Sequence, residues 1–188
     1  YSLVLAQHGS GQMTDQFDSS STKTGVSLFR FQVQNTTPVP ITVTQVQFPL
    51  SAVSGIAAGD TASMVLFNGS ANAGGSGVVS IGAGTGTITF SSSFAIPAST
   101  TVSYTLIGDV ANLYAGDTLT IALGLANVTL QAGTVGGTAP TSAVHTADAV
   151  VFQVSGSSDD SFANESADDA SGTNRTLGYV TAQTYSDG

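Results

Sequence analysis

Apolar residues in this chain recur at every second position within short runs, and that period of two constrains the fold more than any other feature. In residues 26–35, VSLFRFQVQN, Val26 and Leu28 lie on one parity, with Phe29, Phe31 and Val33 on the other. Residues 41–48, ITVTQVQF, place Ile41 and Val43 in alternation with Thr and Gln. Such alternation marks extended segments with one covered face. The two runs flank Thr36-Thr37-Pro38 and read as a hairpin-like pair. Further strands are predicted at 1–7, 61–67, 77–81, 87–90, 100–107, 118–125, 128–131, 149–154 and 176–185, each bounded by Gly, Pro, Asn or Ser.

Helix-forming material is scarce. The chain has one Glu and one Lys, against 22 Gly and 50 Ser plus Thr in 188 residues, a surface composition that suits strands and turns. Closely spaced strands without intervening helices predict an all-β fold, an antiparallel β-sandwich (jelly-roll or Ig-like) with tethered terminal strands. The organisation read from the chain is an N-terminal strand and loop at 1–24, a sandwich core at 25–154, an acidic loop at 155–175 and a C-terminal strand at 176–188.

Twelve acids against three bases give a formal net charge of −9. A nucleic-acid or anionic-membrane partner needs the opposite balance. With no Cys, disulfides, Cys-ligated zinc and thiol nucleophiles are excluded. No apolar stretch approaches the roughly 18 residues of a membrane span, so no membrane insertion is expected. A start at Tyr1 directly in a β-like run is what a processed, exported chain would show.

The tetrapeptide Ala-Gly-Asp-Thr occurs twice before a strand, with its acid at Asp60 and at Asp117. A tight turn in which Asp accepts a backbone hydrogen bond explains both copies. The sharper alternative is calcium, a hard cation that takes loop carboxylates, and it would extend to Asp159 and Asp160 in the acidic loop. That loop holds five of the twelve acids and almost no large apolar residue.

Both terminal strands hang on long polar tethers. They are either edge strands of their own sandwich or strands donated to a neighbour's open sheet edge, where backbone hydrogen bonds supply affinity. For donation of residues 1–7, Tyr1, Leu3, Val4 and Leu5 would form the polymerisation strand. Such a contact is head-to-tail and yields a filament.

Catalytic constellations are scarce. His8 and His145 are the two histidines, no G-x-S-x-G elbow is present, and both imidazoles read as polar loop residues. His145 and Asp148 fall on opposite faces of an extended segment. A sugar platform would lack Trp and rest on Tyr1, Tyr104, Tyr114, Tyr179 or Tyr185. Five of the seven Asn open N-x-[ST] sequons, at Asn35, Asn68, Asn127, Asn164 and Asn174, which points to a glycosylated exterior while Asn35 and Asn68 also fit plain turns.

The segments FRFQVQN, ITVTQVQFPLS, FAIPASTTVSYTLIGDVANLYAGDTLTIAL and GGTAPTSAVHTA, within residues 14–147, resemble Ser/Thr/Gly-rich β-sandwich modules of secreted and cell-surface proteins of bacteria and archaea. With its tethered terminal strands the chain also resembles, in architecture, subunits of extracellular filaments built by donor-strand exchange. The resemblance implies an extracellular location, structural or adhesive work and no catalytic residues. The expectation is a non-enzymatic subunit of an extracellular filament or sheath, partnered with itself by β-strand addition. The alternative is a surface adhesin module that binds calcium or glycans.

Overall fold

The structure, a computed structural model, describes residues 1–17 and 22–148 together with the backbone of 152–154 and 175–177. The expected acidic loop at 155–175 and most of the expected strand 176–188 lie outside the described residues. Two units are present, Tyr1–Asp148 and Ala149–Gly188. In chain order the first unit contains β1 (Leu3–Gln7), β2 (Lys23–Asn35), β3 (Ile41–Ser54), β4 (Thr61–Phe67), β5 (Asn72–Ser76), β6 (Val78–Gly82) and β7 (Thr85–Phe90). It continues with β8 (Phe94–Ile96), β9 (Thr101–Val110), β10 (Thr118–Ile121), β11 (Val128–Leu130), β12 (Val135–Gly137) and β13 (Ala143–Thr146). Single 3₁₀ turns at Ala58–Asp60 and Leu125–Asn127 are the helical pieces among the described residues. In the second unit β14 (Phe152–Val154) pairs antiparallel with β15 (Arg175–Leu177).

The first unit is a β-sandwich. One sheet runs β12-β1-β2-β9-β4-β5, and the other runs β13-β10-β3-β7-β6 with β8 and β11 also on β3. All pairs are antiparallel except β1 with β12. Between the sheets lies an aromatic core: Phe29 and Phe31 of one sheet meet Phe48 of the other at ring distances of 5.5 and 5.9 Å, and Phe48 meets Phe90 at 6.1 Å. Offset and edge-on contacts at this spacing add to area burial.

The double parity of residues 26–35 has a structural cause. The β2–β9 register slips between Ser27 and Phe29, a bulge that turns both Leu28 and Phe29 into the core and bends the strand.

The hairpin expected across Thr36-Thr37-Pro38 is not formed. β2 and β3 belong to different sheets, and Asn35 carries the chain across. Its buried Nδ2 donates to the carbonyls of Val39, Ile96 and Pro97 at 2.8, 3.1 and 3.0 Å. Its Oδ1 accepts from the Thr37 N–H and hydroxyl at 2.8 Å each. A similar crossing joins β5 to β6 through Gly77, whose N–H donates to the Met64 carbonyl at 2.8 Å. A Cβ there would stand 2.7 Å from Phe90 and 2.8 Å from Met64.

Candidate functional site

A sandwich exposes sheet edges, and an edge is a template for another strand unless it is blunted. The outermost strands, β12 and β5 of one sheet and β13 and β6 of the other, differ sharply in that respect, while the three-residue β8 and β11, each paired with β3 alone, offer only short edges.

The expected donor, residues 1–7, is not an edge at all. β1 pairs with β2 on one side and β12 on the other. Leu3 and Leu5 are fully buried in the core of their own sandwich, and Val4 is half-buried. Tyr1, 82% exposed, lies over Gly136. The polymerisation role expected of Tyr1, Leu3, Val4 and Leu5 is thus replaced by an internal one, because period-two alternation looks the same in a donated strand and a resident one.

The β12 edge is three residues long and ends at Gly137 with φ +99°, so it offers little ladder. The β5 edge is bent by Gly74 and Gly75, with φ of +73° and +76°, and the Gly74 carbonyl is taken by the Ser92 N–H at 3.1 Å.

The β13 edge is covered by the N-terminal segment. Asp15 accepts the Thr146 N–H through both carboxylate oxygens at 3.1 Å, and also the Phe17 N–H at 2.9 Å. The Asp148 N–H reaches the Phe17 carbonyl at 3.4 Å. His145 fixes this cover from beneath: its Nδ1 accepts the Gln16 N–H at 3.0 Å, its Nε2 bonds the Leu28 carbonyl at 2.8 Å, and Phe17 packs on its ring at 5.1 Å. Burial, the dominant cause, lowers the imidazole pKa against the opposing pulls of the Leu28 carbonyl and the Asp15 charge. His145 is therefore a satisfied core residue in β13, not the polar loop residue expected. With both ring nitrogens held by backbone, it is not free to serve as a catalytic base. His8 is half-buried, its Nδ1 accepting the Ser10 N–H at 3.1 Å.

The β6 edge is open. β6 pairs with β7 from Val78↔Thr89 to Gly82↔Thr85, and β7 pairs with β3, placing Thr87 opposite Pro49. Proline has no N–H, and the Pro49 carbonyl accepts from Ala122 on the β10 side. Antiparallel ladders alternate bonded and non-bonded pairs, so Thr87 bonds towards Ser80 of β6. Val79 and Ile81 consequently aim their N–H and C=O groups away from β7, and no hydrogen bond to either is made there by any described residue. Their side chains pack on the core, while Val78, 66% exposed, Ser80 and Gly82 face outward. No charged residue occurs in β6, β7 or the turn between them. The 3₁₀ turn Ala58–Asp60 lies beside β6 and makes no backbone hydrogen bond to it.

The two Ala-Gly-Asp-Thr copies fold differently around a shared device. Asp60 Oδ2 accepts the Ala57 N–H at 2.8 Å, and Asp117 Oδ2 accepts the Tyr114 N–H at 2.7 Å, each from three residues earlier. Only the second copy uses a left-handed glycine, Gly116 at φ +91°. Asn112 also donates to Asp60 at 2.7 Å, and these hydrogen bonds, Asn112 first and Ala57 second, lower the Asp60 pKa. Both carboxylates hold turns, and among the described residues no three His, Cys, Asp or Glu side chains gather where a metal ion could be held. Asp159 and Asp160 lie outside the described residues.

Of the sequons, Asn35 is buried with its amide nitrogen fully used and cannot carry a glycan in this fold. Asn68 and Asn127 commit Oδ1 to turns, accepting from Ser70 and Ala71 and from Gly124. Their Nδ2 atoms make no hydrogen bond to a described residue. Asn164 and Asn174 lie outside the described residues. Tyr104 is no sugar platform: it stacks on Phe31 at 5.5 Å in the core, and burial pushes its hydroxyl pKa up to about 12. Tyr1 and Tyr114 are exposed, and Tyr179 and Tyr185 lie outside the described residues.

No family model matches the chain, and no curated protein is significantly similar to it. Among solved structures, one chain in the crystal structure of the CaDoc0917–CaCohA2 complex at pH 5.5 is similar over 77% of this chain and 98% of its own. Its sequence identity is 11% and its TM-score 0.37, values too low to read a common fold from. No described helix is long and apolar enough to cross a membrane.

Proposed function

We propose that this chain is a non-enzymatic structural subunit of an extracellular filament or sheath, in which neighbouring copies are joined by β-strand addition. The observation that supports it is the β6 edge: an uncharged strand, paired on one side only, in a sandwich whose other edges are covered, bent or cut short. Proteins that remain single blunt every long edge, and an edge left open fits strand addition, in which main-chain hydrogen bonds give affinity. The acidic surface and scarcity of bases suit a solvated exterior over nucleic acid or anionic lipid. Asn68 and Asn127 are the described positions at which a glycan would be carried.

Negative-stain microscopy and sedimentation at two protein concentrations test the reading, with Ser80→Lys as the edge-blocked variant. Ser80 is exposed, so the substitution leaves the core intact while a lysine on the edge disfavours strand pairing. Concentration-dependent assembly of the unmodified chain and its loss in Ser80→Lys are expected. A protein that stays monomeric at both concentrations and associates only with a glycan or calcium would overturn the reading.

A further inference from the structure

We infer that the β6 edge takes the β6 edge of a second copy of this chain, antiparallel, about a twofold axis through Ser80. The inference rests on the assembly reading above and adds the partner strand and the register.

The strand is complementary to itself. Its outward-facing backbone groups belong to Val79 and Ile81, the residues on either side of Ser80. In an antiparallel pairing centred on Ser80, Val79 of one copy stands opposite Ile81 of the other and exchanges both N–H···O bonds with it, the bonded pair of such a ladder. Ser80 then faces Ser80 of the second copy as the non-bonded pair, where side chains come closest. That position suits a small hydroxyl residue. Exposed Val78 lies opposite Gly82 of the second copy, which leaves room for it.

Charge permits this occupant. Each copy carries −9 overall, yet residues 78–90 contain no ionisable side chain, so no like charges meet in the ladder. Asp60, on the 3₁₀ turn beside β6, has its carboxylate bound to Ala57 and Asn112. A ladder of five residues buries well under the roughly 1,200 Å² of a stable interface. The contact is therefore weak in dilute solution and gains strength where copies are concentrated. Because a twofold contact closes on itself, it joins subunits in pairs, and growth beyond the pair takes a second surface.

The chain has no Cys, which makes engineered thiols an unambiguous probe. Non-bonded antiparallel pairs hold their Cα atoms about 4.5 Å apart, within disulfide range. In oxidised glutathione, Ser80→Cys should form a covalent dimer at least tenfold faster than Val78→Cys, whose self-pairing lies several residues out of register. Adding Val79→Pro to Ser80→Cys should abolish the cross-link, since the proline removes an N–H that points away from β7 and spares the β6–β7 ladder. Circular dichroism checks that the variant is folded, and Ile81→Pro, which removes the other outward N–H, serves if it is not. Equal rates at positions 80 and 78, or cross-linking that survives the proline in a folded protein, would overturn the inference. If assembly occurs and Ser80→Lys blocks it while Ser80→Cys stays monomeric, the edge accepts a different strand and only the twofold pairing fails. If the unmodified chain never associates, the function itself fails.

Discussion

The buried imidazole of His145 accepts the Gln16 N–H on Nδ1 at 3.0 Å and faces the Leu28 carbonyl with Nε2 at 2.8 Å. A backbone N–H can only donate, so Nδ1 is unprotonated and the proton sits on Nε2. One neutral ring thereby ties the cover of β13 to β2 in the opposite sheet.

The fold should weaken in mild acid. Burial lowers the His145 pKa below its ordinary 6.5, and burial with the Arg30 charge does the same to His8. Below about pH 6.5 the unfolded chain takes up protons that the folded chain resists, so stability falls as pH drops through that value. Asp60 and Asp109 have lowered pKa values; their contribution is full above about pH 4 and is lost below it. Calorimetry should show the melting temperature falling from pH 7 to 5, with most of that fall removed by His145→Gln and the remainder by His8→Gln. Identical pH profiles for the unmodified chain and His145→Gln would contradict the assignment.

Neither is His145 dispensable for folding. His145→Ala empties a core site and strands the Leu28 carbonyl and the Gln16 N–H, at a cost of about 2–4 kcal/mol. Urea denaturation measures it, and faster amide exchange at Thr146, whose N–H is held by Asp15, should accompany the loss.

Removal of residues 1–7 should not yield a folded monomer. It takes Leu3 and Leu5 from the core, strips β2 of one of its two neighbours and leaves β12 without its partner, at roughly 1.5–3 kcal/mol for each leucine alone. A truncated chain with an unchanged urea midpoint would show that β1 is not integral.

How much of this was legible in the sequence depended on the residues carrying each strand. The expected strand 61–67 coincides with β4, whose apolar run Met64 to Phe67 follows a turn and buries Met64 and Leu66. β13 shows no core face in the sequence because its buried residues are Ala143 and His145, with Ala147 just beyond its end, too small or too polar to mark one. β12 and β5, rich in glycine, carry no alternation at all. The open edge was invisible for another reason: VVSIG reads the same whether one or two strands flank it, and only the sheet order tells.

Asn35 should be among the costliest polar residues to replace. Asn35→Ala leaves the carbonyls of Val39, Ile96 and Pro97 without their donor, an expected loss of about 2–4 kcal/mol by urea denaturation. Asn35→Asp, which turns a charge towards those carbonyls, should be worse. Mass spectrometry of the chain expressed in a glycosylating host should find Asn35 bare.

Calcium should leave the two Asp turns indifferent. Asp117→Ala frees the Tyr114 N–H and should cost about 1–2 kcal/mol, equally in calcium and in chelator. A calcium-dependent difference between Asp117→Ala and the unmodified chain in thermal melts would make Asp117 a ligand.

Residue-resolved amide exchange tests the β6 edge most directly. In dilute protein the amides of Val79 and Ile81, which face away from β7, should exchange rapidly, while those of Ser80 and Gly82 are protected by the β6–β7 ladder. At assembling concentrations Val79 and Ile81 should become protected together, with no gain at Ser80. Assembled protein in which Val79 and Ile81 still exchange as fast as in dilute solution would contradict strand addition at this edge.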